Sequence, residues 1–460
     1  MFEGTAILLA TVLLAAAPLG AETKADGYRG IWYFIKQADE LKYKYSGGLG
    51  TYCADHIPTA VYAPEVNKTF FVYGGTKGLG AEKPLLEMIG CYDHATGMAS
   101  RPTVVMEKGT GDAHHNPVLS IDGKGYLWVF CPSHGGKDGF IYKSRAPYSI
   151  EAFDRMLQKE FSYPQPWYVE DSGFVFLFTK YTRGRESYVS TSPDGVNWSE
   201  DRKIVGFDGH YAVSWSCGKK LGTAFNWHPG GKLDARTNLY YMETPDLGRT
   251  WTDAAGKPLV IPLDSPKNGA LVHDYQKEGL LVYINDLNYD RDSHPVIFFN
   301  LSRGFESGPK NGERICMTAR WTGKNWDLRR VTTTDHNYDM GSLYIEDDGA
   351  WRIIAPTDPG PQAWCTGGEM VMWTSGDQGK TWTRARALTS GSARNHTYAR
   401  RPVNAHPDFY AIWADGDALN PSESHLYFAS KSGEVRVLPF TMTRDEAMPH
   451  LYRRGVQGER

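Results

Sequence analysis

Residues 112–134, DAHHNPVLSIDGKGYLWVFCPSH, place a histidine near each end of two short apolar runs joined by an Asp-Gly turn. A hairpin folds its ends side by side, so His114 and His134 are expected to meet. Neutral imidazoles can take up a proton near pH 7, and a tyrosine hydroxyl can give one to a departing oxygen. Tyr163, in the run SYPQPWY, is the phenol nearest to them in the strand layout below. A basic loop, KYTRGR at 180–185, adds Lys180, Arg183 and Arg185. Either arginine could hold both oxygens of a carboxylate in a fork, which Lys180 cannot. The set suits removal of a proton beside a carboxylate, where a cation must already face the growing charge.

These residues need elements to carry them. From residue 50 onward the chain is a succession of short apolar and aromatic runs broken by Gly, Asp and Asn. Helical periodicity is nearly absent; only 149–160, SIEAFDRMLQKE, is expected as a helix. Three segments share one pattern: SPDGVNW at 192–198, TPDLGRTW at 244–251 and SGDQGKTW at 375–382. They resemble the Asp-box of sialidase-like (BNR) propellers, in which Asp and Gly shape a tight turn and Trp packs between sheets. The first copy is one residue shorter, and WTGKNW at 321–326 resembles a decayed copy. The spacing predicts an all-β, seven-bladed propeller in a single domain over 22–460, with blades at 50–100, 112–160, 163–206, 209–265, 269–330, 335–390 and 395–440. The early run GYRGIWYFI is expected to complete the last blade as its outer strand and so cover an open edge.

In such a blade the innermost strand begins, and the second ends, on one face of the disc, with the Asp-boxes on the other. That rule gathers His56, His114, His134, Tyr163, the 180–185 loop, His210, His228, His336 and His396 around one mouth. His228 is expected as a further contact to a carboxylate or sulfate. Trp167 and Tyr168 could stack on sugar rings. His336, Cys365 and His396 form a mixed nitrogen and sulfur set that would suit a structural zinc, although their spacing matches no compact ligand motif. No acidic loop of the calcium type is present.

Composition sets the outer bounds. With 41% hydrophobic residues, 22% charged residues and a net charge of -3, the 460-residue chain has core enough to fold and no basic bias toward nucleic acid or membranes. Its 14 Trp, 27 Tyr and 49 Gly favour short strands, tight turns and flat aromatic surfaces for sugars. Residues 1–21 read as a signal peptide, which predicts a secreted or periplasmic protein, although the segment carries Glu3 and no Lys or Arg before its apolar run. Six scattered cysteines with no CxxC pair imply no disulfide framework.

DAHHNP, the downstream SH, SYPQPWY and the Asp-boxes together resemble the BNR-type seven-bladed propellers that include the ulvan lyases. The resemblance runs from GYRGIWY to SESHLYF, nearly the whole mature chain. It implies β-elimination on an anionic, rhamnose- and uronate-containing polysaccharide by a monomer that needs no cofactor for the chemistry. It also implies His114 as the first histidine, His134 as the second, Tyr163 as the tyrosine and one of Lys180, Arg183 or Arg185 as the neutraliser. Two other readings compete. One is a glycoside hydrolase removing rhamnose from glucuronate, although the mouth is rich in His and Arg rather than in paired carboxylates. The other is a glycan-binding propeller without catalysis. A sialidase reading lacks its spaced arginines.

Overall fold

The computed structural model describes residues 24–36, 41–49, 55–78 and 84–454. The expected signal peptide and Cys53 lie outside the described residues. Seven antiparallel sheets follow one another along the chain as the blades of a β-propeller. Their innermost strands are Ala60–Ala63, Val118–Ile121, Ser162–Val169, Ala212–Cys217, Leu281–Tyr289, Ser342–Ile345 and Asn395–Arg400. Each pairs with the next strand in sequence, so every blade is a meander built outward from the axis. Blades six and seven are further joined by one backbone pair, Gly368 with His396.

The turns that end the third strands explain the repeated Asp and Gly. In the first box the Ser192 hydroxyl accepts from Gly195 N at 2.8 Å and the Asp194 carboxylate from Val196 N and Asn197 N at 2.9 and 2.8 Å. Thr244 with Asp246, and Ser375 with Asp377, repeat the device. The longer copies insert Leu247 and Gln378 in the left-handed region, with φ of 61° and 62°, just before the glycine. The first copy omits that residue, which is why it is shorter. At 321–326 a Thr322–Asn325 turn replaces the carboxylate, and Trp321 and Trp326 still pack together. Trp128, Trp251, Trp351 and Trp413 are fully buried between blades.

Three expectations are corrected. Residues 149–160 hold no helix: Phe153–Lys159 is the outer strand of blade two, paired with Gly139–Ser144 and studded with exposed charges that suit an edge. Leu271–His273, expected to open blade five, is instead the outer strand of blade four, returning after the long loop that follows the second box. The early run does not add to blade seven: Gly30 bridges Gly75 of blade one and Ser424 of blade seven, and Tyr33–Lys36 pairs with Tyr43–Gly47 as a hairpin. The outer edge of blade seven is taken by Val435–Val437 and His450–Leu451, while Glu446–Ala447 adds to Met98–Ser100 in blade one. The C-terminus thus ties the last blade to the first. Cys91, Cys131, Cys217, Cys316 and Cys365 are free thiols. Among the described residues no helix is long and apolar enough to cross a membrane.

Candidate active site at the cleft between blades two, three and four

The hairpin of blade two brings its two histidines into contact. Their rings stack with centroids 4.0 Å apart and planes within 9°. Asp112 holds both: one carboxylate oxygen accepts from His114 Nδ1 at 2.5 Å and from His114 N at 3.0 Å, and the other accepts from His134 Nδ1 at 2.7 Å. With Nδ1 protonated on each ring, Nε2 is left as the basic nitrogen. The His114 Nε2 lies 3.3 Å from the Tyr45 hydroxyl, and the side chain of His134 is the more exposed, at 23% against 9%. Hydrogen bonds from the two rings hold the Asp112 carboxyl well below the usual range against the opposing effect of burial. Burial lowers the His114 imidazole, with the Asp112 bond opposing it, so the ring is neutral at pH 7.

Blade three delivers the phenol. The register of its first strand shifts between Ser162 and Gln165, and Tyr163 there has φ 48°, a left-handed backbone that costs about 1–3 kcal/mol. The bulge turns the ring into the cluster, 6.2 Å from His114 and 6.0 Å from His134. The loop between the second and third strands of blade two is pinned to the same strand, with Gly135 N donating to Ser162 Oγ at 2.8 Å. Tyr163 is buried, its hydroxyl 3.3 Å from that of the less buried Tyr181. Burial raises both phenols, Tyr181 to about 12, and keeps them as proton donors.

The three cations of the 180–185 loop separate. Lys180 turns away to Asp201 at 3.2 Å and Glu160 at 3.9 Å. Arg183 is exposed. Arg185 lies over the rings of Tyr181 and Tyr211 at 5.2 and 5.7 Å, where it faces Tyr163. Two cations that the sequence reasoning missed stand nearby. Arg236, fully buried at the start of a third strand, donates to the Tyr338 hydroxyl at 3.1 Å and stacks on Tyr211 at 4.8 Å and Tyr283 at 4.6 Å. Lys44, from the N-terminal hairpin, pairs with Asp234; burial, Arg236 and Arg185 all disfavour its charge. The pattern that would have flagged Arg236 is simple: third strands also begin at this face.

Other expected residues fall elsewhere. His228 is fully buried, edge-on to Tyr211 at 4.8 Å, and neither ring nitrogen has a hydrogen-bond partner among the described residues. His56 supports the histidine turn, its Nε2 3.1 Å from the His114 carbonyl. Trp167 and Tyr168 belong to the interior packing: Trp167 donates to Ser214 Oγ at 2.8 Å against Trp215, and Tyr168 packs on Phe174. His336, Cys365 and His396 are not brought together as one ligand set. His336 bonds Ser307 and the Lys44 carbonyl, whereas His396 accepts from Trp413 Nε1 at 3.0 Å and contacts Ser392 Oγ at 3.0 Å. These engagements are separate because blade six and blade seven each bury their own histidine.

The buried imidazoles beside the cleft make stability depend on pH. Burial pushes His210 down to about 3, and burial with Arg236 pushes His228 well below its ordinary value. The unfolded chain therefore takes up protons first, below its pKa of about 6.5, and stability is complete above that pH and lost as pH falls. Each ring should cost about 1.4 kcal/mol at pH 5.5, or about 3 kcal/mol for the pair. The expected result is a urea midpoint that drops between pH 7.5 and 5.5. An unchanged midpoint would exclude neutral burial of these rings.

Comparison with known proteins agrees with the fold. A family model described as a BNR repeat-containing family member matches residues 91–334. The ulvan lyase of Alteromonas sp. (strain LOR) is 20% identical over 428 residues, covering 82% of this chain and 84% of the relative. The ulvan lyase of Nonlabens ulvanivorans is 22% identical over 365 residues, 71% of this chain and 75% of that one. Among solved structures, a PL25 ulvan lyase bound to -[GlcA(1-4)Rha3S]- superposes with a TM-score of 0.71 at 15% identity, covering 89% of this chain and 96% of that chain. The family model spans more than half of the sequence and takes in two of the three Asp-boxes together with His114, His134 and Tyr163, and the chain belongs to the BNR repeat-containing family.

Proposed function

We propose that the protein is a secreted polysaccharide lyase that cuts an ulvan-like, uronate- and rhamnose-containing glycan by β-elimination. The observation that carries this reading is the shared carboxylate: Asp112 is spent on orienting two imidazoles that face a phenol pair and an arginine. A hydrolase needs a carboxylic acid and a carboxylate flanking the scissile bond, and Asp112, the carboxylate in contact with these rings, is already committed to them. The two ulvan lyases it resembles over most of their length support the substrate class.

In the proposed reaction, Nε2 of His134, the more exposed ring, takes the C5 proton of the uronate. The electron pair moves into a C4–C5 double bond as the C4–O bond breaks, and Arg185 meets the charge that builds on the carboxylate. The phenol pair supplies a proton to the leaving oxygen, with Tyr181 on the cleft side and Tyr163 behind it. Imidazolium and phenolate then exchange a proton through solvent. His114 keeps Asp112 ionised and stacks on His134; Arg236 extends the positive lining toward blade four, Lys44 pairs with Asp234 beside it, and His228 backs Tyr211.

The test is incubation of the protein with ulvan and with other uronate polysaccharides, read by ultraviolet absorbance and product mass. Elimination is expected to create a conjugated double bond, with product masses that sum to the substrate. Saturated products carrying one added water per cut would replace the lyase with the hydrolase. Binding without any product would leave the glycan-binding reading.

A further inference from the structure

We propose that His94, His406 and Asp408 form a divalent transition-metal site, best suited to zinc, that clips blade one to blade seven on the rim away from the cleft. His94 follows the third strand of blade one, Leu86–Asp93, and His406 and Asp408 lie between the first two strands of blade seven. Both connections sit on the Asp-box side, so the cluster is remote from Asp112, His114 and His134. One ligand atom from each of the three residues lies within 4.8 Å of the other two.

The two rings are built for ligation rather than for charge. Their centroids are 3.7 Å apart, closer than two imidazolium ions could lie without a counterion between them. A neutral imidazole is the form that binds a metal. Nε2 of His94 lies 2.8 Å from Oγ1 of the fully buried Thr69, which fixes the ring and selects Nδ1 as the free nitrogen. That Nδ1 is buried and has no hydrogen-bond partner among the described residues. Tyr62 walls both rings, 5.3 Å from His94 and 4.9 Å from His406, and Tyr92 stands edge-on to His94 at 5.0 Å. Nδ1 of His406 is 3.8 Å from the Asp408 carboxylate and accepts the Asp408 N–H at 3.1 Å. Asp408 is exposed, so its N–H can turn to water when the nitrogen lone pair goes to the metal, and the ion has a path in from solvent.

Two imidazoles and one carboxylate, with water as a fourth ligand, match the donor types and number that zinc takes. The location gives the site a purpose. Here the first and last blades already meet through backbone bonds, Val403 N donating to the Ala60 carbonyl and Tyr62 N to the Val403 carbonyl, each at 2.9 Å, and through Phe71 and Tyr92 packed on Phe409. A metal joining His94 to His406 would add a bond at the seam between the two ends of the chain.

The probe is Zn²⁺ alone, titrated calorimetrically into chelator-treated full-length protein, with thermal unfolding in parallel. Zinc is expected to bind and to raise Tm by about 2–4 °C at roughly a hundredfold excess over Kd. Thr69→Val should weaken binding by about 10–100-fold without removing a ligand. His406→Ala and the fold-neutral Asp408→Asn should each weaken it at least as much. Asp112→Asn controls for the His/Asp cluster at the cleft and should leave the seam site intact. The proposal is overturned by the absence of zinc binding, by an affinity that Asp408→Asn and His406→Ala leave unchanged, or by an affinity lost only in Asp112→Asn.

Discussion

Asp112→Asn is expected to lower kcat by about 10²- to 10⁴-fold on any glycan the protein cleaves, with the fold retained. Asp112 accepts three hydrogen bonds, two of them from the Nδ1 atoms of His114 and His134. An amide of the same shape has only one accepting oxygen; its NH₂ must find a lone pair, and the nearest is Nδ1 of one of the rings. That ring is then forced to carry its proton on Nε2 and stops being a base. The negative charge that steadies an imidazolium is lost as well. The turn itself should survive, because the amide oxygen can still accept from His114 N. The titration of the supporting ring separates this role from a merely structural one. Asp112 raises the His114 pKa against burial, so without it the His114 titration, followed by NMR, should move to lower pH. Stopped-flow or steady-state rates across pH 5 to 8, beside a circular-dichroism melt, would decide it. A folded variant with wild-type kcat would remove Asp112 from the mechanism.

Much of this arrangement was legible in the chain because propeller turns are written in short-range chemistry. Asp and Gly at the boxes bind their own backbone, so the same residues that mark a turn in sequence also make it in space. The spacing of the boxes pointed to a propeller, the strand pairs laid out between turns gave seven blades, and the hairpin rule brought His114 and His134 together. The failures are of two physical kinds. In 149–160 the apolar residues fit a helical stripe and an edge strand equally well, and pairing with Gly139–Ser144 decided between them. Arg236, Tyr181 and Lys44 were missed for another reason. Arg236 begins a third strand, Tyr181 lay inside a loop read only for its cations, and Lys44 belongs to a hairpin whose place depends on tertiary packing.

The same limit left Lys180, Arg183 and Arg185 indistinguishable, and mutation should now tell them apart. Arg185→Ala is expected to reduce kcat by about 10²- to 10³-fold, or about 2.7–4 kcal/mol of transition-state stabilisation. A uronate in its ground state spreads one negative charge over its carboxylate; as C5 loses its proton the same two oxygens take on more. A guanidinium aimed at them is therefore worth most at the transition state, so kcat should fall further than KM rises. Arg185→Lys should recover only part of the rate. An ammonium keeps the charge but loses the fork and the flat contact with the rings of Tyr181 and Tyr211, 5.2 and 5.7 Å from the guanidinium carbon. Lys180→Ala should leave kcat within a few-fold of wild type, because its ammonium already serves Asp201 and Glu160 at 3.2 and 3.9 Å. Arg183→Ala should do the same, since that side chain is exposed. Steady-state kinetics of the four variants on one substrate gives the ranking. A Lys180→Ala enzyme that is silent beside an active Arg185→Ala enzyme would move the neutralising charge across the loop and undo the assignment.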